Sequence, residues 1–180
     1  DKEPLSLMVN VDNGVMINNA KVTTADVMAS NGVIHVIDKV LLPPSVVDIA
    51  TYSENFSSLV SAVVKADLVG TLSGDGPFTV FAPTNDAFAA LFAALQISGL
   101  DEVSVEDLTS ILTYHVLGDN ILSSEISAGT VAAVSGEEFE VTIDGAVMLN
   151  GTIKVTATDI QGTNGVVHVI DAVLVPSMQK

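Results

Sequence analysis

Asn31-Gly32-Val33-Ile34-His35-Val36-Ile37-Asp38-Lys39-Val40-Leu41-Leu42-Pro43-Pro44 has a near copy at the far end of the chain, NGVVHVIDAVLVPS, which starts at Asn164. Ten of the 14 aligned positions are identical, at an offset of 133 residues. The likeness extends upstream. Asp12-Asn13-Gly14-Val15-Met16-Ile17-Asn18 aligns with Asp144-Gly145-Ala146-Val147-Met148-Leu149-Asn150 at offset 132, and one inserted residue near Ile153 restores 133. Lys21-Val22-Thr23 then meets Lys154-Val155-Thr156, and Asp26 meets Asp159. Residues 5–44 therefore repeat as 137–177, and nothing before Glu137 has an earlier partner. A period of this length marks a domain-sized repeat. The division expected is residues 1–44 as the C-terminal part of one unit and 45–180 as a complete one. Pro43-Pro44 stands at the join, where a stiff extended linker is expected.

The complete unit changes pattern along its length. Leu59, Val60, Val63 and Val64 follow a 3.6-residue period, with Phe56 one turn earlier, so helices are expected between Ser45 and Gly76. Phe78-Thr79-Val80-Phe81 is β-branched and aromatic and reads as a short strand stopped by Pro83. Thr84 or Asn85 is placed to cap a helix over 86–95, whose apolar face is Phe88, Leu91, Phe92 and Leu95. Ser104-Val105-Glu106-Asp107 offers a capping box with Asp in the usual Glu position. In the helix that follows, Leu108, Ile111, Leu112 and His115 fall at i, i+3, i+4 and i+7, which puts His115 on the buried stripe. From Ile121 the pattern becomes strands and turns. Phe139, Val141 and Ile143 alternate with polar residues, Asp144-Gly145 reads as a hairpin turn, and Val166–Ile170 is a strand that Val173–Val175 should continue. Helices first and an antiparallel sheet later predict an α+β sandwich. Phe81, Phe88, Leu112, His115 and Val169 are expected in one core.

Composition narrows the function classes. Six Lys+Arg against 22 Asp+Glu give a formal charge of −16, which repels phosphate backbones and anionic lipid, so neither nucleic acid nor direct membrane insertion is expected. An acidic surface chiefly confers solubility. The absence of Cys excludes disulfides, thiolate catalysis and cysteine zinc sites, and no run of 18 apolar residues occurs. Residue 1 is Asp, as expected of a mature or excised piece. Serines and histidines show no nucleophile-elbow glycine pattern and no His-Glu-x-x-His. Gly70–Gly76 lacks the Lys-Ser/Thr of a phosphate loop, and no EF-hand loop is present. No enzyme activity, cofactor or metal is expected. His35 and His168 hold equivalent strand positions, and one His per repeat is a structural residue rather than a ligand set. Asn55-Phe56-Ser57 and Asn150-Gly151-Thr152 are glycosylation sequons in a eukaryotic setting.

Three segments carry a resemblance. Thr79-Val80-Phe81-Ala82-Pro83-Thr84-Asn85-Asp86-Ala87-Phe88 resembles the first signature motif of fasciclin (FAS1) domains. Asn164-Gly165-Val166-Val167-His168-Val169-Ile170-Asp171 resembles the second, and Leu112-Thr113-Tyr114-His115-Val116-Leu117 the Tyr-His motif between them. Asn31, Gly32, His35 and Asp38 repeat the second motif in the N-terminal piece. The resemblance implies a wedge-shaped β-sandwich with an α-helical side, in a secreted or surface-anchored protein with tandem domains that serves adhesion or matrix contact. It offers two roles for His115: the Tyr-His region is tied to integrin binding in some animal relatives, while the helical spacing makes it a core histidine bonded to backbone. It also offers a second function, carriage of an apolar small molecule such as a carotenoid. The N-terminal piece, with Leu7, Val9 and Val11 on one face of a strand, is expected to engage a neighbouring repeat or another molecule, and strand exchange between copies is one route.

Overall fold

The computed structural model describes residues 4–11 and 14–176, so the Asp12-Asn13 start of the upstream match, residues 1–3 and residues 177–180 lie outside it. The N-terminal piece forms a four-stranded sheet in chain order: β1 (Val9–Asn10), β2 (Met16–Ile17), β3 (Ala20–Ala29) and β4 (Gly32–Ile37). The complete unit begins with α1 (Val46–Thr51), α2 (Ser57–Lys65) and α3 (Val69–Leu72), and continues through strand β5 (Phe78–Pro83) to α4 (Asn85–Leu95) and α5 (Val105–Tyr114). Six strands follow: β6 (Val116–Leu117), β7 (Gly129–Ala132), β8 (Glu138–Ile143), β9 (Val147–Leu149), β10 (Ile153–Gln161) and β11 (Gly165–Ile170). They join β5 in a seven-stranded sheet of order β6-β5-β11-β10-β9-β8-β7.

The helices start where their sequences can satisfy the free N–H groups. The Ser104 hydroxyl accepts from Asp107 N–H, as the capping box predicts. Ser45 and Asp48 form a second, complete box at the start of α1. Thr84, not Asn85, caps α4. In α2 the buried side is Leu59, Ala62 and Val63, while Val64 is exposed and Val60 half-buried, so the apolar stripe is displaced by part of a turn from the one expected.

The sheet departs from the antiparallel expectation at its centre. β11 runs parallel to β5, from Gly165 opposite Phe78 to Ile170 opposite Pro83. The long connection through α4 and α5 makes this possible, as parallel neighbours require a crossover. Both faces of β11 are covered, so Val166, Val167, His168 and Ile170 are all buried and no polar face exists. Gly165 is demanded by the close approach: a Cβ there would collide with the Phe78 carbonyl oxygen. β11 stops at Ile170, and Val173–Val175 is irregular chain rather than a strand extension. The Asp144-Gly145 turn does join β8 to β9, with Ile143 opposite Val147.

The single core expected is two. Phe88 and Leu112 belong to one, between the helices and the sheet, against which Val169 packs. Phe81 belongs to the other, inside the curl of the sheet, with Tyr114, Phe139, Val141, Leu149 and Ile170. The ring of Phe139 meets those of Phe81 and Tyr114 edge-on at centroid distances of 5.7 and 5.6 Å. The repeat allows an internal control, because Leu7 stands where Phe139 does and is mostly exposed. Phe139→Ala should lower stability by about 3–5 kcal/mol, and Leu7→Ala should stay within about 0.5 kcal/mol, by urea denaturation.

Candidate functional site

The residues of the three motifs converge on the β5–β11 pair. Asn164, just before β11, is buried and fully used: its Oδ1 accepts from Val46 N–H at 3.0 Å, and its Nδ2 donates to the carbonyls of Leu72 at 2.9 Å and Gly74 at 2.7 Å. One side chain thus ties the start of α1 and the end of α3 to the sheet. Thr79 on β5 donates to Asp119 C=O at 2.6 Å and accepts from Ile121 N–H at 2.9 Å, which fixes the loop after β6. His168 reaches the same loop. Its Nε2 lies 2.9 Å from Ile121 C=O, while Nδ1 lies 3.3 Å from Asp159 N–H. Because the amide of Asp159 can only donate, Nδ1 is the acceptor and Nε2 carries the proton.

His115 is held in the same manner. Leu174 N–H donates to Nε2 at 2.9 Å, so Nδ1 carries the proton and donates to Ile111 C=O at 2.8 Å. The spacing argument for a core histidine bonded to backbone agrees with this placement. Tyr114 next to it is buried by its ring and donates its hydroxyl to Glu138 C=O at 3.0 Å. Asn85 does not cap its own helix. Its Oδ1 accepts from Ser58 N–H at 2.9 Å at the start of α2, and its Nδ2 donates to Glu54 C=O at 2.8 Å. Asp171 closes the β10–β11 hairpin by accepting from Lys154 N–H at 2.8 Å. Phe81, Ala82, Pro83 and Phe88 are buried. Of the sequons, Asn55 is exposed within a short 3-10 turn, and Asn150 sits in the β9–β10 turn with its Oδ1 accepting from Glu140 N–H.

Burial sets the charge state of these groups. It pushes His115 down to about 4, against the upward pull of the Ile111 carbonyl. His168 is also lowered, by burial first, with Ile121 and Asp159 pulling the other way. Burial raises Asp159, but its carboxylate accepts from the Ser123 amide and hydroxyl and faces His168, and the sum holds it below the ordinary carboxylate range. Both histidines are therefore neutral hydrogen-bonding struts at neutral pH. Among the described residues, no group of three His, Asp or Glu could hold a metal ion, and no helix is long and apolar enough to cross a membrane.

Two features lay outside the sequence reading. One is the Asp159–Ser123 contact, which has no motif. The other is a cavity of about 150 Å³ lined by Val46, Val60, Val63, Val64, Phe81 and His115 among others. Its wall is almost wholly apolar.

With this geometry in place, the comparisons with known proteins are decisive for the family. The fasciclin domain family matches residues 1–43 and 54–176, and the chain belongs to that family. Protein sll1483 of Synechocystis sp. is 47% identical over 135 residues, which cover 74% of each chain. Human periostin is 38% identical over 184 residues, covering 98% of this chain but 22% of periostin. Among solved structures, a FAS1 domain pair from the insect cell adhesion molecule fasciclin I superposes with a TM-score of 0.66 over 94% of this chain and 66% of that one, at 22% identity. The fold is the wedge-shaped α+β fold of FAS1 domains.

The buried histidines make stability depend on pH. A histidine lowered by folding binds its proton more readily when unfolded, so its contribution is complete above about 6.5 and is lost as pH falls toward 4. The drop from His115 alone should reach about 3 kcal/mol. His115→Ala should cost about 1–3 kcal/mol at pH 7 and flatten the slope between pH 6.5 and 4, measured by urea unfolding across that range.

Proposed function

We propose that the protein is a non-catalytic adhesion or matrix-contact module of an extracellular or cell-surface protein with fasciclin units in tandem. One observation carries the reading. The polar side chains of the motifs are spent on backbone partners: Asn164, Thr79, His168 and His115 each bond backbone groups from separate elements. Motif residues that brace the scaffold leave recognition to the outer surface, which is acidic and carries protein partners rather than nucleic acid. The likeness to an insect cell adhesion molecule and to periostin supports the same direction. A further site of contact is between the units of such an array. The sequons at Asn55 and Asn150 would carry glycans where the host glycosylates.

The apolar cavity supports a second reading, carriage of an apolar small molecule. Native interiors leave few voids larger than a water molecule, and an apolar cavity of about 150 Å³ stays dry and accepts a ring-sized apolar guest. The two readings separate in one preparation. Beads coated with the chain should bind the surface of the producing cells or their matrix saturably, with soluble chain competing; absence of retention contradicts adhesion. A polyene absorbance that co-elutes with the protein, and is lost in Val60→Trp, would establish carriage instead.

A further inference from the structure

α4 differs from the other long helices in its outer face. From Ala87 to Leu95 it has no polar residue, whereas α2 exposes Ser57 and Ser61 and α5 exposes Glu106 and Ser110. A helix that is apolar all round belongs in an interior. Only one side of α4 has one. Ala87 and Phe88 are buried and Leu91 and Phe92 half-buried, while Ala89, Ala90, Ala93 and Ala94 are exposed and Leu95 is 53% exposed. Ala89 with Ala93, and Ala90 with Ala94, are i, i+4 pairs that share a face. Side chains that end at Cβ let a second helix approach closely, because the distance between helix axes is set by the residues in contact.

A groove of about 240 Å³ adjoins this face between α4 and α5, and every residue lining it lies between Phe88 and Ile111, within the complete unit. Phe88, Leu108 and Ile111 in it are buried, Phe92 and Val103 are half-buried, and Leu95 belongs both to the groove and to the end of α4. Most of its surface is apolar, but Glu102 and Asp107 line it too. Asp101 and Glu106 are their exposed neighbours in the chain. These carboxylates take neutral donors: Glu102 accepts from Ser98 N–H at 2.6 Å and Asp107 from the Ser104 hydroxyl at 2.6 Å. Between Lys39 and Lys154 the sequence has a single Lys, Lys65, and no Arg. Lys65 gives its ammonium to the carbonyls of Leu100 and Val103, at 2.6 and 2.9 Å. The groove is therefore apolar inside and negative beside.

We propose that the alanine face of α4 and the α4–α5 groove form a docking surface for an amphipathic helix of a partner protein, apolar on the side laid in the groove and bearing Lys or Arg beside it. The proposal names the surface and the partner chemistry for the protein-contact role above, and it rests on that reading. Charge selects the occupant. A second copy brings another −16 and the same acidic border, and anionic lipid is also negative, so both are repelled where a basic helix is attracted. Laying an apolar helix face in a groove is an established mode of peptide recognition. The 11 residues of α4 span about 16 Å, which matches about three turns of the partner.

The probe is a fluorescein-labelled helical peptide of about 15 residues with Leu at i, i+3, i+4 and i+7 and Lys on both flanks. Titrated with the 180-residue chain at low ionic strength, its anisotropy should rise to saturation, and amide NMR shifts should gather in residues 85–111. Replacing Lys by Glu, or scattering the Leu around the helix, should weaken binding about tenfold or more. In the chain, Leu95→Gln with Ala93→Gln should do the same and leave the melting temperature unmoved. Asp101→Lys with Glu106→Lys should reverse the preference between the Lys and Glu peptides. Beads coated with the Ala93, Leu95 variant should lose the retention on cells or matrix that the parent shows. The proposal is overturned if the Lys peptide does not saturate, if the Lys and Glu peptides bind alike, or if the shifts fall outside 85–111. It is equally overturned if α4 mediates dimers of the chain or retention on phosphatidylcholine vesicles, which would make a second copy or a membrane the occupant. Bead retention that survives the Ala93, Leu95 variant overturns this surface and leaves the adhesion reading standing. Peptide binding at 85–111 without bead retention by the parent supports the surface and contradicts adhesion.

Discussion

The fold depends on the parallel contact between β5 and β11. These strands are separated by the crossover through α4 and α5, and neither brings the other to its place by local turn geometry. Their contact must be held by groups at its two ends and along its faces. Asn164 holds the entrance by bonding α1 and α3, and Thr79 with His168 holds the middle by bonding the loop at 119–121. Each of these side chains is buried, so each satisfied bond also avoids the cost of a stranded polar group. Two apolar cores then fill in on opposite sides of the pair, the helical one against Val167 and the one inside the curled sheet against Ile170.

This arrangement engages the ring nitrogens of both buried histidines. A histidine becomes a base or ligand only if a ring nitrogen is free to meet a substrate or ion. Both nitrogens of His115 face backbone groups, and so do both of His168. Burial keeps them neutral, which suits a strut that donates with one nitrogen and accepts with the other. The same demand for neutrality makes acid the weak condition of the fold.

Much of this was legible in the sequence, for identifiable reasons. The repeat implies the same local structure in both copies, and β3–β4 and β10–β11 do share pairings and bulges, although periodicity marks neither β3 nor β10. The capping box at Ser104 and the turn at Asp144-Gly145 are local signals, and both form. The equivalent box at Ser45 carried the same Ser-x-x-Asp pattern and was open to the same reading. What escaped was long-range. Nothing local distinguishes a strand destined for a parallel neighbour, so the pattern predicts an antiparallel sheet for β11 and a further strand at the apolar Val173–Val175, neither of which forms. Asn85 has the chemistry of a cap, and it does cap, but its helix is α2, 27 residues away along the chain. The division of Phe81 from Phe88 between two cores follows from the pleat of β5 and the position of α4, neither of which periodicity reveals.

The bond set of Asn164 is the sharpest place to test whether polar clamps, rather than apolar burial alone, hold the halves together. Asn164→Asp keeps an acceptor for Val46 N–H and removes both donors to Leu72 and Gly74, with almost no change in volume. Asn31→Asp makes the same chemical change in the N-terminal copy, where among the described residues no group meets the side chain. Denaturant midpoints measured side by side at pH 7 should show Asn164→Asp destabilised by about 2–4 kcal/mol, from two lost bonds and a buried charge facing carbonyls, and Asn31→Asp within about 0.5 kcal/mol of the parent. Equal and small effects at the two positions would contradict the account.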